Sequence, residues 1–113
     1  MKAYSRASRV SEALREELAN LLLRSVKDPR VEGVVVTGVD VTPDLRHANV
    51  FWVLHDSEGR PAAQAGLEHA AGFLRHELRG RMRMRYTPEL RFVLDESFDR
   101  AARIEELLKE SKE

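Results

Sequence analysis

The first thirty residues carry hydrophobic side chains at helical spacing. The apolar positions recur three or four residues apart, which is the spacing of a single helix face. These positions are Val10, Leu14, Leu18, Leu21 and Leu22. Pro29 disfavours helical conformation at the residue before it, so the helix should end before this proline. The pattern predicts an amphipathic first helix that buries one leucine-rich face.

The next segment, residues 33–56, is rich in β-branched and aromatic residues and contains a turn signal at Pro43-Asp44. Two runs of this composition on either side of a turn predict a β-hairpin. Gly38 lies inside the first strand and predicts a bulge or a close approach by another backbone. Alternation assigns the core faces to Val35, Thr37, Val39 and Val41 on the first strand and to Ala48, Val50, Trp52 and Leu54 on the second.

The pattern is helical again from Ala62 to about Met84, although glycines interrupt it. Its least bulky stretch is Ala70-Ala71-Gly72, where we predict a kink. After Pro88, alternating apolar residues predict a third strand, and an apolar stripe over about residues 98–110 predicts a short C-terminal helix. The predicted order of elements is therefore α-β-β-α-kink-α-β-α.

This order defines the fold class. Because helices separate the second strand from the third, these two strands need not form a hairpin, and we expect a mixed sheet. A three-stranded sheet with helices packed on one face is an α+β sandwich. With 113 residues, no internal repeat and no long linker, the whole chain, residues 1–113, is expected to form one domain.

Composition limits the cellular setting. The chain contains no cysteine, which excludes disulfides and cysteine-ligated zinc. Its longest apolar run, residues 50–54, is far shorter than the ~20 residues of a membrane helix. The first residues lack the apolar segment of a signal peptide. We therefore expect a soluble, cytoplasmic protein without a membrane partner.

Charge is balanced in total but not along the chain. Nineteen Lys and Arg residues offset nineteen Asp and Glu residues. Residues 1–30 hold seven basic and four acidic residues, a net +3, and residues 69–91 hold six and two, a net +4. Residues 31–68 hold two and six, a net −4, and residues 92–113 hold four and seven, a net −3. Such blocks indicate a polarised surface, so a neutral total does not exclude an RNA partner.

Signals for catalysis or metal binding are weak. His69 and His76 lack a usual chelating spacing, and surface histidines are the simpler interpretation. Asp95, Glu96 and Asp99 precede the last helix, where acidic side chains complement the helix dipole. The sequence contains no P-loop and no GxGxxG motif, and no Ser-His-Asp arrangement stands out. We therefore expect no enzymatic activity, no metal site and no cofactor.

Arginines concentrate in GRMRMRYTPELRF, residues 80–92. On a helix, Arg75, Arg79 and Arg83 would form one stripe, because they are four residues apart. One interpretation is a solvated helix face whose aliphatic stems cover the core. We favour an RNA-facing patch, since the planar guanidinium binds phosphate through two hydrogen bonds. The candidate RNA-binding residues are Arg75, Arg79, Arg81, Arg83 and Arg85, extended by Arg6 and Arg9 of the first helix.

Longer stretches resemble a known family. KDPRV after the first helix, VDVTPDLRHANVFWV, AAGFLRHELRGRMRMRYTPELRFVLDES and the closing RIEELL are similar to bacterial ribosome-binding factor A. The resemblance runs from about Arg9 to Leu108, and RYTPELRF followed by DES is a specific part of it. It implies a KH-like fold of type II order, which agrees with the order of elements predicted from the pattern.

The resemblance also implies a function. Members of this family are non-enzymatic assembly factors that bind the free small (30S) ribosomal subunit and assist late maturation and processing of 16S rRNA, and they are associated with growth in the cold. Ordinary KH domains hold nucleotides with a GxxG loop, which this sequence lacks. Ala70, Ala71 and Gly72 match the family's Ala-x-Gly kink instead. We therefore expect RNA contact through the arginine-rich helix and its flanks, by a monomer.

Two further hypotheses stay open. The basic patch of a KH-like module could have another protein as its main partner and contact acidic side chains. An enzyme acting on RNA is a third hypothesis, which the lack of an evident acid–base pair disfavours. Under the leading hypothesis, residues between the arginines anchor the helix end and the third strand to the core. These residues are Met82, Tyr86, Leu90 and Phe92.

Overall fold

The order of helices and strands is the predicted one, except that the long central helical segment is unbroken. The computed structural model describes residues 5–111. Its elements are α1 (Arg6–Arg24), β1 (Val35–Val41), β2 (His47–Val53), α2 (Arg60–Met82), β3 (Glu89–Leu94) and α3 (Ser97–Ser111). Two short 3-10 turns, Pro29–Val31 and Ser57–Gly59, lie between α1 and β1 and between β2 and α2.

Helix α1 begins where a side chain supplies an acceptor for its first N–H groups. The hydroxyl of Ser5 accepts a hydrogen bond from the N–H of Ser8 (3.1 Å), which satisfies a donor that no helix carbonyl can reach. Leu14, Leu18 and Leu21 are buried on the face that packs against β1. The predicted amphipathic helix is therefore confirmed, and it ends before Pro29 as expected.

The three strands form one mixed sheet in the order β1-β2-β3. Strand β1 runs antiparallel to β2, which confirms the hairpin, and β3 pairs in parallel with β2. Helices α1 and α2 cover one face of this sheet, where Ala48, Val50 and Trp52 of the central strand are buried. The core therefore lies between β2 and the two helices.

A short series of hydrogen bonds connects the central strand to α2 and β3. The indole N–H of Trp52 donates to Oε1 of Gln64 (2.9 Å), and the amide nitrogen of Gln64 donates to the carbonyl of Phe92 (2.9 Å). A buried indole N–H without an acceptor would cost about 1–3 kcal/mol. Gln64 therefore orients α2 relative to the edge strand β3.

The buried face of β1 differs from the prediction. The pairing with β2 shifts between Val36 and Gly38, which is a bulge at the interior glycine. The extra residue reverses the alternation, so Val36 is buried whereas Val35, which was predicted to face the core, is 56% exposed. A Cβ added at Gly38 would meet no described atom within 4 Å outside its chain neighbours. The bulge, and not a close backbone, accounts for this glycine.

Helix α2 continues through residues 70–72, so the predicted kink does not divide it into two helices. A side chain at Gly72 would enter open space. The close approach occurs at Gly66, where a Cβ would lie 2.8 Å from Cγ1 of Val31 and 3.1 Å from Cβ of Arg30. Gly66 therefore allows α2 to pack directly on the 3-10 turn that follows α1.

Helix α3 extends away from the rest of the protein. Its apolar residues are 52–60% exposed, although the pattern predicts helices packed together on the sheet. These residues are Phe98, Ile104, Leu107 and Leu108. The first turn of α3 is held by an ion pair between Arg60 and Asp99 (Nη1 to Oδ2, 2.8 Å). The start of α3 is therefore anchored, whereas its apolar face is exposed.

Asp95 connects the end of β3 to α3 and β1. Its Oδ1 accepts hydrogen bonds from the N–H and the hydroxyl of Ser97 (3.0 and 2.6 Å), and its Oδ2 accepts one from the hydroxyl of Thr37 (2.7 Å). The Ser97 hydroxyl first, and then Thr37 and the Ser97 N–H, hold the pKa of the Asp95 carboxyl below its usual value. The Asp95 carboxylate therefore links the end of β3 to the first residue of α3 and to β1.

We expect alanine to have opposite effects at two glycines of α2. Gly66→Ala should destabilise the protein by about 1–3 kcal/mol, because the new methyl group would collide with the branched side chain of Val31. Gly72→Ala should stabilise it by about 0.5–1 kcal/mol, since an exposed helical position accepts alanine without strain. Equilibrium urea denaturation measures both changes. Equal stabilisation by both substitutions would show that the 3-10 turn does not pack closely against α2.

Acid should weaken the junction between β3 and α3. Because the pKa of Asp95 is lowered in the folded state, its hydrogen bonds stabilise the fold fully above the ordinary aspartate pKa and are lost as the pH falls through the lowered pKa. Urea denaturation from about pH 7 to about pH 3 should show this loss, and Asp95→Asn should remove part of it. Thr37→Val keeps the Ser97 contacts and should have a smaller effect. An Asp95→Asn variant with the pH dependence of the unmodified protein would contradict this assignment.

Candidate nucleic-acid interface

Four segments of the chain meet at one end of the sheet. The hairpin turn lies there, and β3 begins at the same end because it is parallel to β2: the N–H of Glu89 donates to the carbonyl of Arg46 (2.8 Å). The N–H of Val41 donates to the hydroxyl of Ser11 (3.0 Å), which places the first turns of α1 at this end as well. Helix α2 also ends there, and residues 83–88 connect it to β3.

Six exposed arginines lie at this end of the sheet, which we call the basic end. They are Arg6 and Arg9 of α1, Arg46 of the hairpin turn, Arg79 of α2, and Arg83 and Arg85 of the α2–β3 connection. None of the six forms an ion pair with any residue between 5 and 111. Their positive charge is therefore available to an anionic partner.

The start of α1 strengthens this positive potential. The N-terminus of a helix carries about half a positive charge, which acidic residues in the first turn usually offset. The first turn of α1 contains no acidic residue and instead carries Arg6 and Arg9. Helix stability does not favour cations at this position. Helix stability therefore does not account for these two arginines.

The end of α2 directs the next arginines away from the helix. Arg83 has φ 49° and ψ 40°, a left-handed conformation that ends the helix after Met82. Arg79 precedes this turn and Arg85 follows it, and both are exposed. The predicted stripe of Arg75, Arg79 and Arg83 is therefore interrupted, because Arg83 is no longer on the helix.

Arg75 has a different environment from the other candidate residues. Its Nε donates to the carbonyl of Pro88 (3.1 Å) and its Nη2 donates to the carbonyl of Thr87 (3.1 Å). Thr87 and Pro88 are themselves buried. The guanidinium therefore holds the end of the α2–β3 connection against α2 instead of extending into solvent.

Arg81 is also engaged within the protein. Its Nη1 lies 3.6 Å from Oε2 of Glu17 on α1, and its Nε lies 3.8 Å from Oε2 of Glu77 on α2. Such partly exposed pairs contribute little stability, but they reduce the positive charge that a partner would meet. Arg81 is therefore a weaker candidate for phosphate binding than Arg79, Arg83 or Arg85.

Two residues at the basic end were not identified from the sequence as candidates. Arg46 lies in the hairpin turn, and only the parallel pairing of β3 brings it close to residues 83–88. Tyr86 was assigned to the core but is 65% exposed. The guanidinium carbon of Arg85 lies 5.6 Å from the centroid of the Tyr86 ring, within the range of a cation–π interaction. The other residues of that core assignment, Met82, Leu90 and Phe92, pack on the core as predicted.

The predicted kink residues are not part of this surface. Ala70 is buried, Ala71 is half-buried and Gly72 is exposed. The helix rises about 1.5 Å per residue, so Gly72 is about 15 Å from Met82 along α2. The structure therefore brings the arginines of α1, α2 and the connection together and leaves Ala70, Ala71 and Gly72 apart from them.

Other kinds of site are not indicated in the part of the chain that the structure describes. No three His, Asp or Glu side chains within residues 5–111 are grouped as metal ligands would be. Within the same range, no helix combines the length and the hydrophobicity needed to cross a membrane.

The fold and its surface define a class of protein. A mixed three-stranded sheet covered on one face by helices is an α+β sandwich. A concentrated positive surface on such a domain is typical of nucleic-acid-binding proteins. The family model for ribosome-binding factor A matches residues 6–108. The chain belongs to the ribosome-binding factor A family, which confirms the resemblance found in the sequence.

Individual relatives match about three quarters or more of the chain. Ribosome-binding factor A of Syntrophobacter fumaroxidans is 47% identical over 110 residues, which cover 95% of this chain and 94% of the relative. The crystal structure of ribosome-binding factor A from Thermus thermophilus has a TM-score of 0.71 at 26% identity, covering 80% of this chain and 97% of that one. A Thermus thermophilus homology model fitted into a cryo-EM map of a 30S–RbfA complex has a TM-score of 0.64 at 28% identity, covering 76% and 91%.

The contrast between Arg75 and Arg79 is testable because both lie on α2, one turn apart. Arg75→Met should destabilise the protein by about 1–3 kcal/mol, since two carbonyls lose their donor. Arg79→Met should change the free energy of unfolding by no more than ~0.5 kcal/mol, because the side chain is exposed. Urea denaturation of both variants measures the difference. Equal stability would show that the Arg75 contacts contribute nothing to the fold.

Proposed function

We propose that this protein is an assembly factor that binds the free small (30S) ribosomal subunit and assists late maturation and processing of 16S rRNA. The observation that carries the proposal is membership of the ribosome-binding factor A family over residues 6–108. The Thermus thermophilus relative fitted into a map of a 30S complex supports the same partner. We infer that the protein acts in the cytoplasm as a monomer, by binding and without catalysis or a cofactor, and that it supports growth in the cold.

The basic end is the surface that we assign to 16S rRNA. Its arginines come from four separate segments, so together they form a broad surface and not a single pocket. Guanidinium groups bind phosphate oxygens through paired hydrogen bonds, and each neutralised phosphate releases counterions from the RNA. Affinity should therefore fall steeply with salt, by about 0.7–0.9 units of log K per contact for each unit of log salt concentration.

A protein as the main partner is the second candidate. The feature that favours it is the exposed apolar face of α3, because contiguous apolar surface is uncommon on a protein with no partner. This face does not lie at the basic end, so the two candidates predict different sensitive residues.

Substitution of the exposed arginines tests the proposed function. We expect the triple variant Arg79→Glu, Arg83→Glu, Arg85→Glu to lose binding to purified 30S subunits and to purified 16S rRNA, with a smaller salt slope for any residual binding. The matched control is Arg100→Glu, Arg103→Glu, Lys109→Glu on α3, which makes the same change in charge at exposed helical positions. The control should bind normally, and both variants should melt close to the unmodified protein.

Sedimentation with separated ribosomal particles measures the partner. The protein should travel with free 30S subunits and not with 50S subunits or 70S ribosomes. Equal recovery of the protein in all three fractions would contradict the assembly-factor proposal. Loss of 30S binding by the α3 control, with 16S rRNA binding unaffected, would instead favour a ribosomal protein as the main partner.

A further inference from the structure

One large aromatic residue is exposed at the basic end. Among residues 5–111, the large apolar side chains that are exposed lie mainly on α3, on the outer side of α1 and α2 or at the start of β1. Tyr86 is the exception, since it lies in the connection that also carries Arg83 and Arg85. Tyr86 is therefore the exposed aromatic residue that lies beside the arginines of the basic end.

The exposure of Tyr86 does not result from a loose connection. The two residues that follow, Thr87 and Pro88, are buried, and both of their carbonyls accept hydrogen bonds from Arg75. The residue two positions before, Met84, is half-buried. The backbone that follows the tyrosine is therefore held against the protein, whereas Tyr86 itself is exposed. A binding group held in this way loses little conformational entropy when a ligand arrives.

Arg85 adds a charge beside the ring. Its guanidinium lies 5.6 Å from the ring centroid and so covers part of one face of the tyrosine. The residue as a whole stays 65% exposed, so a planar ligand can reach it. An aromatic face next to a cation matches the two parts of a nucleotide, a flat base and a phosphate.

We propose that Tyr86 is a stacking site for one unpaired nucleobase of RNA, with Arg85 beside it to contact the adjoining phosphate. This inference rests on the proposed function and goes further by stating which form of RNA the basic end selects. A base inside a continuous duplex has both faces covered by its neighbours, so only a single-stranded or flipped-out nucleotide can stack on the tyrosine. The basic end therefore selects RNA that contains unpaired nucleotides.

Binding to single-stranded and to duplex RNA of equal length distinguishes a stacking contribution to affinity from an electrostatic one. We expect Tyr86→Leu to weaken binding to a single-stranded oligoadenylate by about five- to one-hundred-fold, because one base loses its stacking partner. Binding to duplex RNA and the salt slope for both RNAs should stay unchanged, since no cation is removed. Tyr86→Phe should bind like the unmodified protein. The matched control is Phe98→Leu, which removes an exposed ring on α3.

A fluorescent base gives a second measurement that does not depend on affinity. An oligoadenylate with one 2-aminopurine should lose fluorescence on binding to the unmodified protein, because stacking quenches this base, and should keep it when saturated with the Tyr86→Leu variant. Far-UV circular dichroism and thermal melting of the same samples confirm that the variant is folded.

The outcomes separate the two proposals. If the triple arginine variant loses both RNAs while Tyr86→Leu binds both normally, the proposed function stands and the stacking site does not exist. If Tyr86→Phe fails as Tyr86→Leu does, the hydroxyl and not the ring makes the contact, and stacking is excluded. If the unmodified protein binds neither RNA but travels with free 30S subunits, the proposed function stands and the stacking site is wrong. Selective loss of the single-stranded oligonucleotide with Tyr86→Leu alone establishes the site.

Discussion

The parallel pairing of β3 with β2 is the constraint on which the rest of the structure depends. Parallel neighbours cannot be joined by a tight turn, so the chain must return along the whole length of the sheet. Helix α2 makes this return on the face where Trp52 is buried, and Gln64 hydrogen-bonds to both strands on the way. The return brings residues 83–88 to the end of the sheet where the hairpin turns and α1 begins. Arginines from four separate segments therefore reach one surface.

Arginine has two roles around this surface, and the partners of each guanidinium separate them. Arg75 lies on the side of α2 that faces β3. Its guanidinium donates hydrogen bonds to two backbone carbonyls there instead of to water. Arg81 lies toward α1 and meets carboxylates on both helices. The six arginines of the basic end have no such partners among the described residues. A neutral chain obtains this positive surface because its acidic residues are concentrated in residues 31–68 and 92–113.

Periodicity was a reliable guide wherever the environment of a residue depends on its near neighbours in the chain. The buried face of α1, the hairpin and the mixed sheet follow from spacing and turn residues alone, and all three are confirmed. Periodicity assigned the wrong face where one extra residue shifts the in–out alternation of a strand. The bulge at Gly38 moves Val35 from the core face to the solvent. The low bulk of residues 70–72 predicted a kink, and the structure describes one unbroken helix there. Helix α2 continues through Gly72, where a Cβ would meet no described atom, whereas the glycine that packing requires is Gly66, through its contact with Val31.

The sequence by itself determined the helices and strands, the family, and the concentration of positive charge in residues 1–30 and 69–91. Only the tertiary structure decided which arginines are available to a partner. It engages Arg75 with backbone carbonyls, adds Arg46 from the hairpin turn and turns Tyr86 outward. The physical reason is that a pattern along the chain specifies which side of an element is apolar. It does not specify which distant carbonyl or carboxylate will reach a given guanidinium, because that distance is set by how the elements pack.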